Sequence, residues 1–440
     1  MKRIVDFLRL FRFRNGGWKP FLRPEYDKLW PLLRRVGGAY RKFCIPKSCV
    51  VAVIGSLGKT TTKHTLNAVF KSPDRGHSFS NYGSNLAANL LRTRRGDSEV
   101  VLEVGIAGPG KMALYAKMLC PDIVVVTSIK SDHNRSFSTL EDTRREKVKM
   151  LTDLPSTSYA ILNGDDPHVL WMAGRTRATI RTFGLNPENN VRATDIRLDW
   201  PRGMCFKLHA GDESREAFVP VLGKHRIYSA LAAAAAGVVR GLTLEKIVAR
   251  LAEITHSSSR FQLIELPNGA KVLDDSQKAS LESIYAAIES FLEIPARRRV
   301  LVLGNIEEPV GSQGPLYRDL GQWVGNRVDR ILCIGGEGLK GFIGACGRAG
   351  LDRARCTFVG SQFHKAIDIL KSELSDGDVV LVKGSSTQEL RRIRLSLSGR
   401  EVRCSVKYCR VKIDRCDICP LLGEKPEAFQ NHFIRRFVRE

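Results

Sequence analysis

Long apolar runs are missing from this 440-residue sequence. No stretch approaches the roughly 20 consecutive apolar residues that a membrane-spanning helix requires. The N-terminus has neither the apolar run nor the small-residue cleavage site of a secretory signal. The eleven cysteines are scattered, without the spacing of a small disulfide-stabilised domain. We therefore expect a protein of a reducing, cytoplasmic compartment.

Acidic residues are few relative to basic ones. The sequence has 46 Asp and Glu against 70 Lys and Arg, which gives a formal net charge of +24. Such an excess favours an anionic partner: nucleotide phosphates, a nucleic acid or an anionic membrane surface. Because no base-stacking motif accompanies the charge, nucleic acid ranks last among these partners. The length is typical of two or three domains.

Part of the basic excess lies in residues 1–48, which carry 13 Lys and Arg but only three acidic residues. In the segment IVDFLRLFRFR, Ile4, Phe7, Leu8 and Phe11 recur at helical spacing. A basic amphipathic helix of this kind can lie on an anionic membrane, here its inner face, or it can pack against the next domain. The sequence leaves both alternatives open.

Continuous β-branched runs predict buried parallel strands, with helical segments between them. The first series is VVAVIG (50–55), EVVLEVG (99–105), PDIVVVTSI (121–129) and YAILNGDD (159–166). The second series is AKVLDDS (270–276), RRVLVLGN (298–305), RILCIGG (330–336) and DVVLVKGS (378–385). KTTTKHTLNAVF (59–70) and LESIYAAIESFL (281–292) predict helices. The alternation predicts two α/β domains, 49–254 and 255–400, followed by a tail of different character, 401–440.

The first strand runs into the sequence GSLGKT, which matches a shortened phosphate-binding loop. In the usual loop a glycine stands where this chain has Val53. Gly55 and Gly58 allow backbone N–H groups and a helix N-terminus to approach a phosphate closely. Lys59 would reach the β- and γ-phosphates, and the Thr60 hydroxyl would contact Mg²⁺. The alternative is an ordinary strand–turn–helix with an exposed lysine.

The form G-x-x-G-K-T-T-T-K resembles the ATP loop of the Mur ligase family, close to the MurF branch, which adds a dipeptide to a cell-wall precursor. Other segments follow in the family's order over residues 49 to about 395. They are NYGSNLAANLL, EVVLEVGIAGPGKM, PDIVVVTSIKSDHNRSFSTLEDTRREKVKML, YAILNGDDP, GKHRIYSALAAAAA, SSSRFQL, VLDDSQKASLES and VVLVKGSS. The resemblance implies a central P-loop ATPase domain with a mostly parallel sheet and a C-terminal Rossmann-like α/β domain.

The resemblance also implies two Mg²⁺ sites. Glu103 and His133 each follow a buried strand, and both would be metal contacts. Lys147 matches a lysine that the family carries as a carbamate, which is an anion and could hold a second Mg²⁺. Lys59, His133 and Lys147 are the candidate catalytic residues. Lys149 or Arg145 could be mistaken for Lys147 in this segment. The segment could also be only a solvated, charged helix.

Nucleotide and substrate contacts are implied in both domains. The ATP contacts are Gly55, Ser56, Leu57, Gly58, Lys59, Thr60, Thr61, His225, Arg260 for a phosphate and Asp275 for the ribose hydroxyls. The candidate substrate contacts are Asn81, Asn85, Ser276, Lys278 and Lys383.

The sequence departs from the family pattern in two places. Arg226 and Ser229 replace two asparagines, and because Asn can read adenine bidentately while Ser cannot do so as fully, nucleotide selectivity is open. In MurF-type enzymes a whole domain that binds the UDP-sugar precedes the ATP loop, whereas about 48 residues precede it here. The segment LLRRVGGAYRKFCIPKSCVVAV resembles the end of that domain. We therefore expect a truncated substrate domain and leave the carboxylate substrate open.

Four cysteines mark the basic tail: Cys404, Cys409, Cys416 and Cys419. The last pair has the C-x(2)-C spacing of a metal knuckle, which would suit Zn²⁺ or an iron–sulfur cluster. The first pair is separated by four residues, and the gap between the pairs is short for a zinc ribbon. The sequence therefore favours unligated thiols over a metal site.

The combined motifs predict an ATP-dependent, ADP-forming amide ligase. ATP would phosphorylate a substrate carboxylate, of a cell-wall peptide precursor or a related compound, and an amine would attack the acyl phosphate. The alternative is a nucleotide-binding scaffold or regulator of the same fold without turnover. The replaced asparagines at Arg226 and Ser229 and the short segment before the ATP loop suggest this alternative. The metal-binding and phosphate-binding residues argue against it, since a scaffold needs no metal chemistry.

Overall fold

The structure, a computed structural model, describes two compact α/β units, 29–255 and 259–439. The α/β class that the sequence predicts is confirmed in each unit. The predicted N-terminal amphipathic helix lies outside the described residues. These residues are 29–74, 81, 83–106, 108–130, 137, 139–255, 259–309, 311–409, 416–419, 422–423 and 438–439.

Eight strands form the sheet of the first unit. They are β1 (Cys49–Ile54), β2 (Glu99–Glu103), β3 (Ile123–Val126), β4 (Tyr159–Asn163), β5 (Thr179–Gly184), β6 (Val191–Asp199), β7 (Gly203–Ala210) and β8 (Glu213–Val219). Their order in the sheet is β2-β1-β3-β4-β5-β6-β7-β8. The strands from β2 to β6 are parallel, and β7 and β8 continue the sheet in antiparallel pairing.

The helices of the first unit lie on both faces of this sheet. They are α1 (Trp30–Phe43), α2 (Lys59–Phe70), α3 (Gly83–Leu91), α4 (Met112–Leu119), α5 (Leu140–Lys147), α6 (Pro167–Leu170), α7 (Ile227–Val239) and α8 (Leu244–Ala252). Short 3₁₀ turns cover Val148–Met150, Ala173–Arg175 and Lys224–Arg226. The helix α2 has the bounds that the sequence predicts. Among the described residues, no helix combines the length and the apolar character needed to cross a membrane.

The strand β1 is buried along its whole length, which explains its uninterrupted apolar sequence. Val51 and Val53 pack into a core with α2, α7 and α8. Val50, Ala52 and Ile54 point to the opposite core, which α3 and α4 close. A central position of this kind places the carboxyl end of β1, where the GSLGKT segment begins, between the ends of β2 and β3.

The second unit has a six-stranded sheet and a separate strand pair. The sheet strands are β9 (Gln262–Glu265), β10 (Lys271–Asp275), β11 (Arg298–Leu303), β12 (Arg330–Cys333), β13 (Cys356–Phe358) and β14 (Asp378–Lys383). Their order is β13-β12-β11-β14-β10-β9, with β9 alone antiparallel. In the tail, β15 (Tyr408–Cys409) pairs with β16 (Val438–Arg439).

Five helices complete the second unit. They are α9 (Leu281–Leu292), α10 (Gln313–Val324), α11 (Gly338–Arg348), α12 (Phe363–Glu373) and α13 (Arg391–Leu397), with 3₁₀ turns at Arg353–Arg355, Ser386–Gln388 and Cys416–Ile418. Because β14 returns between β11 and β10, the carboxyl ends of β10 and β14 lie side by side, with Asp275 opposite Lys383.

Candidate active site

The GSLGKT segment forms a tight loop between β1 and α2. Gly55 has φ 135° and Gly58 has φ 82°, values that side-chain-bearing residues rarely adopt. A Cβ on Gly55 would lie 2.0 Å from Thr127 Oγ1, so the loop can pack against β3 only with glycine at this position. The Thr127 hydroxyl donates a 2.6 Å hydrogen bond to the Leu57 carbonyl, and the Ser56 N–H donates to the Ser128 carbonyl. The end of β3 thus fixes the loop.

Lys59 begins helix α2 and folds back over the loop. Its Nζ donates 2.8 Å hydrogen bonds to the carbonyls of Gly55 and Ser56. Thr60 and Thr61 lie half-buried in the first helical turn, which carries no acidic residue. The backbone N–H groups of a first turn have no partner inside the helix and carry a partial positive charge. The loop therefore presents an ammonium group and a helix N-terminus together, as phosphate binding requires.

Lys147, the last residue of α5, also reaches this loop. Its Nζ donates a 2.9 Å hydrogen bond to Ser56 Oγ, and only 2% of the residue is exposed. The Ser56 hydroxyl in turn donates to the Lys130 carbonyl at 2.8 Å. The two basic residues that could be mistaken for Lys147 in the sequence have other partners. Arg145 Nε pairs with Glu141 and Lys149 Nζ with Glu146, each at 2.7 Å.

Glu146 holds the end of α5 in place, a role that the sequence does not reveal. Its carboxylate accepts 2.9 Å hydrogen bonds from the backbone N–H groups of Lys111 and Met112, at the start of α4. Burial alone would raise the pKa of Glu146. The hydrogen bonds from Lys149 and the backbone outweigh burial and lower this pKa below its ordinary value. Glu146 is therefore a charged anchor next to Lys147.

Glu103 ends β2, one strand away from the loop. It lies opposite Val53 in the parallel register, two residues before Gly55. Its carboxylate accepts a 2.6 Å hydrogen bond from Asn81 Nδ2. Gly105 makes this contact possible, because a Cβ there would lie 2.2 Å from Asn81 Oδ1. The two residues that the sequence predicts separately are thus direct neighbours.

The other predicted residues of the first unit lie at several places. Asn85 is half-buried on α3, and His225 is half-buried in the turn before α7. Ser229 does not lie at a surface: its hydroxyl accepts a 3.1 Å hydrogen bond from Thr62 Oγ1 on α2. Its small side chain joins α7 to the helix that follows the phosphate loop. His133 lies outside the described residues.

In the second unit, the ends of β10 and β14 hold a buried ion pair. Lys383 Nζ lies 2.7 Å from Asp275 Oδ2 and also donates to the Lys278 carbonyl at 2.5 Å. The other Asp275 oxygen accepts from the Phe261 N–H at 3.1 Å, next to the half-buried Arg260. Burial lowers the pKa of Lys383, and the nearby Asp275 carboxylate opposes this effect. Four predicted residues are thus brought to one end of the sheet.

Asp274, which the sequence does not single out, organises this end of the sheet from inside. It is fully buried, and its Oδ2 accepts hydrogen bonds from Ser259 Oγ and Arg394 Nε. Its Oδ1 accepts from the Ser276 hydroxyl at 2.6 Å. Arg394 continues the network to Asp417 in the tail at 2.8 Å. Asp274 therefore fixes Ser259, which precedes Arg260, and Ser276, which follows Asp275.

Comparison with known proteins identifies the family. The family model described as the Mur ligase middle domain matches residues 53–237, and that of the Mur ligase glutamate ligase domain matches residues 259–386. Together the two models cover most of the chain, in the order that the sequence motifs predict. The chain belongs to the Mur ligase family.

Two curated relatives of this Mur ligase carry the same name, UDP-N-acetylmuramoyl-tripeptide–D-alanyl-D-alanine ligase. The Bacillus subtilis protein is 27% identical over 353 residues, 78% of this chain and 74% of that protein. The Mycobacterium tuberculosis protein is 29% identical over 383 residues, 81% of this chain and 74% of that protein. The predicted family and the predicted class, an ATP-dependent, ADP-forming amide ligase, are confirmed. The alternative of a scaffold without turnover is not favoured.

Solved structures share the fold. MurF from Acinetobacter baumannii superposes with a TM-score of 0.74 at 23% identity and covers 84% of this chain and 80% of its own. MurF from Thermotoga maritima, solved in complex with ADP, has a TM-score of 0.70 at 21% identity, with 84% of this chain and 82% of that chain covered. The predicted combination of an ATPase domain with a Rossmann-like domain is thereby confirmed for this Mur ligase.

A metal site at the tail cysteines of this Mur ligase, the alternative that the sequence disfavours, is not supported by the structure. Among the described residues, no three His, Cys, Asp or Glu side chains are grouped as metal ligands. The buried Cys416 thiol instead donates to Glu389 at 3.4 Å, and Arg392 Nη1 lies 3.5 Å from Cys404 Sγ. Cys409 and Cys419 are half-buried and form no disulfide. Cys416 begins a 3₁₀ turn, Cys419 follows that turn, and both residues pack with Leu395.

Proposed function

We propose that this Mur ligase joins the terminal carboxylate of a UDP-N-acetylmuramoyl-tripeptide to the amino group of D-alanyl-D-alanine. The names of the curated relatives support the choice of substrates. The observation that carries the proposal is the contact of Lys147 with Ser56, because it adds a second lysine to a loop already suited to phosphate. The Lys59 ammonium group, a helix N-terminus and a second buried lysine, proposed below to be a carbamate that holds Mg²⁺, suit a reaction that moves a phosphoryl group.

The proposed reaction has two steps. A carboxylate oxygen of the tripeptide attacks the γ-phosphorus of ATP, the bond to the β-phosphate oxygen breaks, and ADP leaves. The amine nitrogen then attacks the acyl carbon to give a tetrahedral intermediate. Collapse of this intermediate expels inorganic phosphate, and the nitrogen loses a proton to leave an amide. Lys59 would balance the negative charge of the transferring phosphoryl group, which strengthens in the transition state.

The residues at the strand ends fit Mg²⁺. Glu103 and Thr60 offer a carboxylate and a hydroxyl, the oxygen ligands that Mg²⁺ prefers beside nucleotide phosphates. A cation held mainly by phosphate oxygens and water needs only one or two protein carboxylates, so a dense cluster of acidic residues is unnecessary. Bound Mg²⁺ would supply Lewis-acid stabilisation of the phosphates. His133 is proposed as a further ligand on the strength of its sequence position alone.

Lys147 is proposed to act as a carbamate. Its neutral amine would attack CO₂, form an N–C bond and release one proton. The resulting anion could hold a second Mg²⁺, which an ammonium group cannot do. The end of α5 supports this assignment because Glu146 anchors it to the start of α4, and the Lys147 side chain donates a hydrogen bond to Ser56. The rigid, buried position suits a ligand more than a solvated surface lysine.

Arg260, Asp275, Ser276, Lys278 and Lys383 are proposed to contact nucleotide and substrate from the second unit. Their convergence at the ends of β10 and β14 supports this assignment. Asp275 is held by Lys383 and by the Phe261 N–H, so its carboxylate has a defined orientation for ribose hydroxyls. Ser276 is fixed by Asp274. We propose the same role for His225 and the loop residues Leu57 and Thr61 in the first unit.

A substrate panel tests the proposed reaction. The full chain is incubated with ATP, Mg²⁺, D-alanyl-D-alanine and one carboxylate at a time: the UDP-linked tripeptide, the free tripeptide or an oligoglutamate. The proposal predicts that ADP and an amide product, identified by its mass, form with the UDP-linked tripeptide. Product formed only with the free tripeptide or with the oligoglutamate would contradict the proposed carboxylate substrate.

A further inference from the structure

The helix α1 is firmly attached to the first unit on one side. Trp30 packs edge-on against Tyr115, with ring centres 5.4 Å apart. Gly37 lies against Met118, where an added Cβ would approach the sulfur to 3.2 Å. Near the C-terminal end of the helix, Arg41 forms a 2.8 Å ion pair with Asp122 and hydrogen-bonds the Ile45 carbonyl. The helix therefore cannot rotate to bury its other side without losing these contacts.

The opposite side of α1 is an exposed apolar stripe. Leu32, Val36 and Phe43 are exposed by 58%, 45% and 70%, and Leu29, just before the helix, by 48%. Their spacing of three, four and seven residues places them along one line of the helix. Single exposed apolar residues are ordinary, but four in one line on an anchored helix mark an interaction surface. We call this set the α1 stripe.

Exposed basic side chains lie on α1 and on the elements that pack against it. Arg35 and Lys42 are exposed on α1 itself. Arg94 is exposed in the turn after α3, beside Thr93, whose carbonyl accepts from the Tyr40 hydroxyl of α1. The helix α4, against which α1 packs, adds the exposed Lys117. A protein partner would need acidic groups at matching points, whereas an anionic lipid surface offers charge at every point.

The sequence around α1 has the same bias. No Asp or Glu occurs between Asp27 and Asp74, and residues 1–48 carry 13 Lys and Arg against three acidic residues. A stripe of Leu, Val and Phe between Lys and Arg residues matches the composition of helices that lie in the plane of a membrane interface. Each Lys or Arg near an anionic surface adds to the attraction.

We propose that the α1 stripe docks this enzyme peripherally onto an anionic phospholipid surface. The apolar side chains would enter the boundary between headgroups and acyl chains, and Arg35 and Lys42 would contact the phosphates. The helix α1 would lie parallel to the membrane plane, held by its buried side to the ATPase unit. This inference does not depend on which substrates the ligase uses.

Vesicle co-sedimentation of the full chain tests the proposal. Wild type should sediment with phosphatidylcholine vesicles that contain phosphatidylglycerol, but not with phosphatidylcholine alone, and added salt should weaken binding. The triple variant Leu32→Ser/Val36→Ser/Phe43→Ser should bind at least about tenfold more weakly, since it removes three apolar contacts. The control Leu170→Ser/Val238→Ser, which alters exposed apolar residues on α6 and α7, should bind like wild type.

Two results would overturn the proposal. The first is undiminished binding of the triple variant, with an unchanged melting temperature, which would assign lipid binding to another segment. The second is a wild-type dimer in sedimentation equilibrium that the triple variant abolishes, without vesicle binding by wild type. That outcome would make the α1 stripe an interface between two copies of this chain. The charge-reversal variant Arg35→Glu/Lys42→Glu should lose anionic selectivity if the proposal holds.

Discussion

The Nζ of Lys147 donates a 2.9 Å hydrogen bond to the hydroxyl of Ser56. This contact connects the end of α5 with the loop that follows β1, over a sequence separation of 91 residues. It also separates Lys147 from Arg145 and Lys149, whose side chains form ion pairs with Glu141 and Glu146. Three basic residues of one short segment, which the sequence alone could confuse with one another, thus have different partners in the structure.

Replacement of Lys147 should abolish ligase turnover. We expect Lys147→Ala to lower the rate of ADP release at least about a hundredfold, because a preorganised charge at the reacting phosphate is lost. Arg145→Ala, in the same segment, should retain activity within about threefold, because it breaks only the surface ion pair with Glu141. Carbon-13 NMR of enzyme equilibrated with labelled bicarbonate should show a carbamate signal that Lys147→Ala lacks. A signal that survives in Lys147→Ala would refute the carbamate assignment.

A methyl group on Gly55 should disrupt the phosphate loop. We expect Gly55→Ala to lose ATP binding by at least about tenfold, because its Cβ would meet Thr127 Oγ1 at 2.0 Å and its φ of 135° is strained for alanine. Gly96→Ala is the matched control, since a Cβ there meets nothing within 4 Å. Titration calorimetry with ATP compares the two variants. Equal ATP affinity in both would show that the loop tolerates the side chain.

Loss of Arg394 should destabilise the second unit. In Arg394→Ala the fully buried Asp274 carboxylate loses its cationic partner, which typically costs about 3–5 kcal/mol. Asp417→Asn breaks only the more exposed end of the same network and should cost less than about 1 kcal/mol. Urea-dependent hydrogen exchange of the β10 amides measures both effects. Similar losses of stability in the two variants would mean that the buried Asp274 carboxylate does not need Arg394 as its cationic partner.

Cysteine alkylation provides a pH-dependent test of the fold. Burial raises the pKa of the Cys49 thiol to about 11 and that of Cys346 to about 12. A raised pKa leaves less thiolate, so at about pH 8 roughly a thousandth of Cys49 would be reactive even before its burial is considered. The exposed Cys120 should therefore be alkylated first, and Cys49 and Cys346 only in urea. Mass spectrometry after brief alkylation would contradict the fold if Cys49 reacted as fast as Cys120.

The apolar strands were predictable because they are buried on both faces. For this reason β1 is an uninterrupted apolar run, and β14 has four apolar residues between Asp378 and Lys383. The helix α9 has the predicted bounds. No such run predicts β6, β7 and β8, which alternate buried and exposed residues and carry a bulge between Thr194 and Arg197. Strands with one solvated face retain many charged residues, and their sequences resemble those of loops.

Long-range contacts of the candidate site were the least predictable part. The sequence names Asp275 and Lys383 separately, but only the parallel pairing of β10 with β14 makes them an ion pair. Ser229 replaces an asparagine of the family pattern, and in the structure it accepts a hydrogen bond from Thr62 between two helices. The spacing of Cys416 and Cys419 left a metal site as the less favoured alternative, and in the structure both residues pack with Leu395. Local spacing cannot distinguish these cases because partners come from distant segments.

The most direct test of the central claim is ADP release that depends on both a carboxylate and an amine. The account predicts that wild type releases ADP over many turnovers only when the UDP-linked tripeptide and D-alanyl-D-alanine are both present. Lys59→Ala should lower this rate at least about a hundredfold, because its ammonium group lies over the phosphate loop. Lys246→Ala, at an exposed lysine of α8, should leave it unchanged. Undiminished amine-dependent ADP release by Lys59→Ala would contradict the assignment of this loop as the catalytic phosphate site.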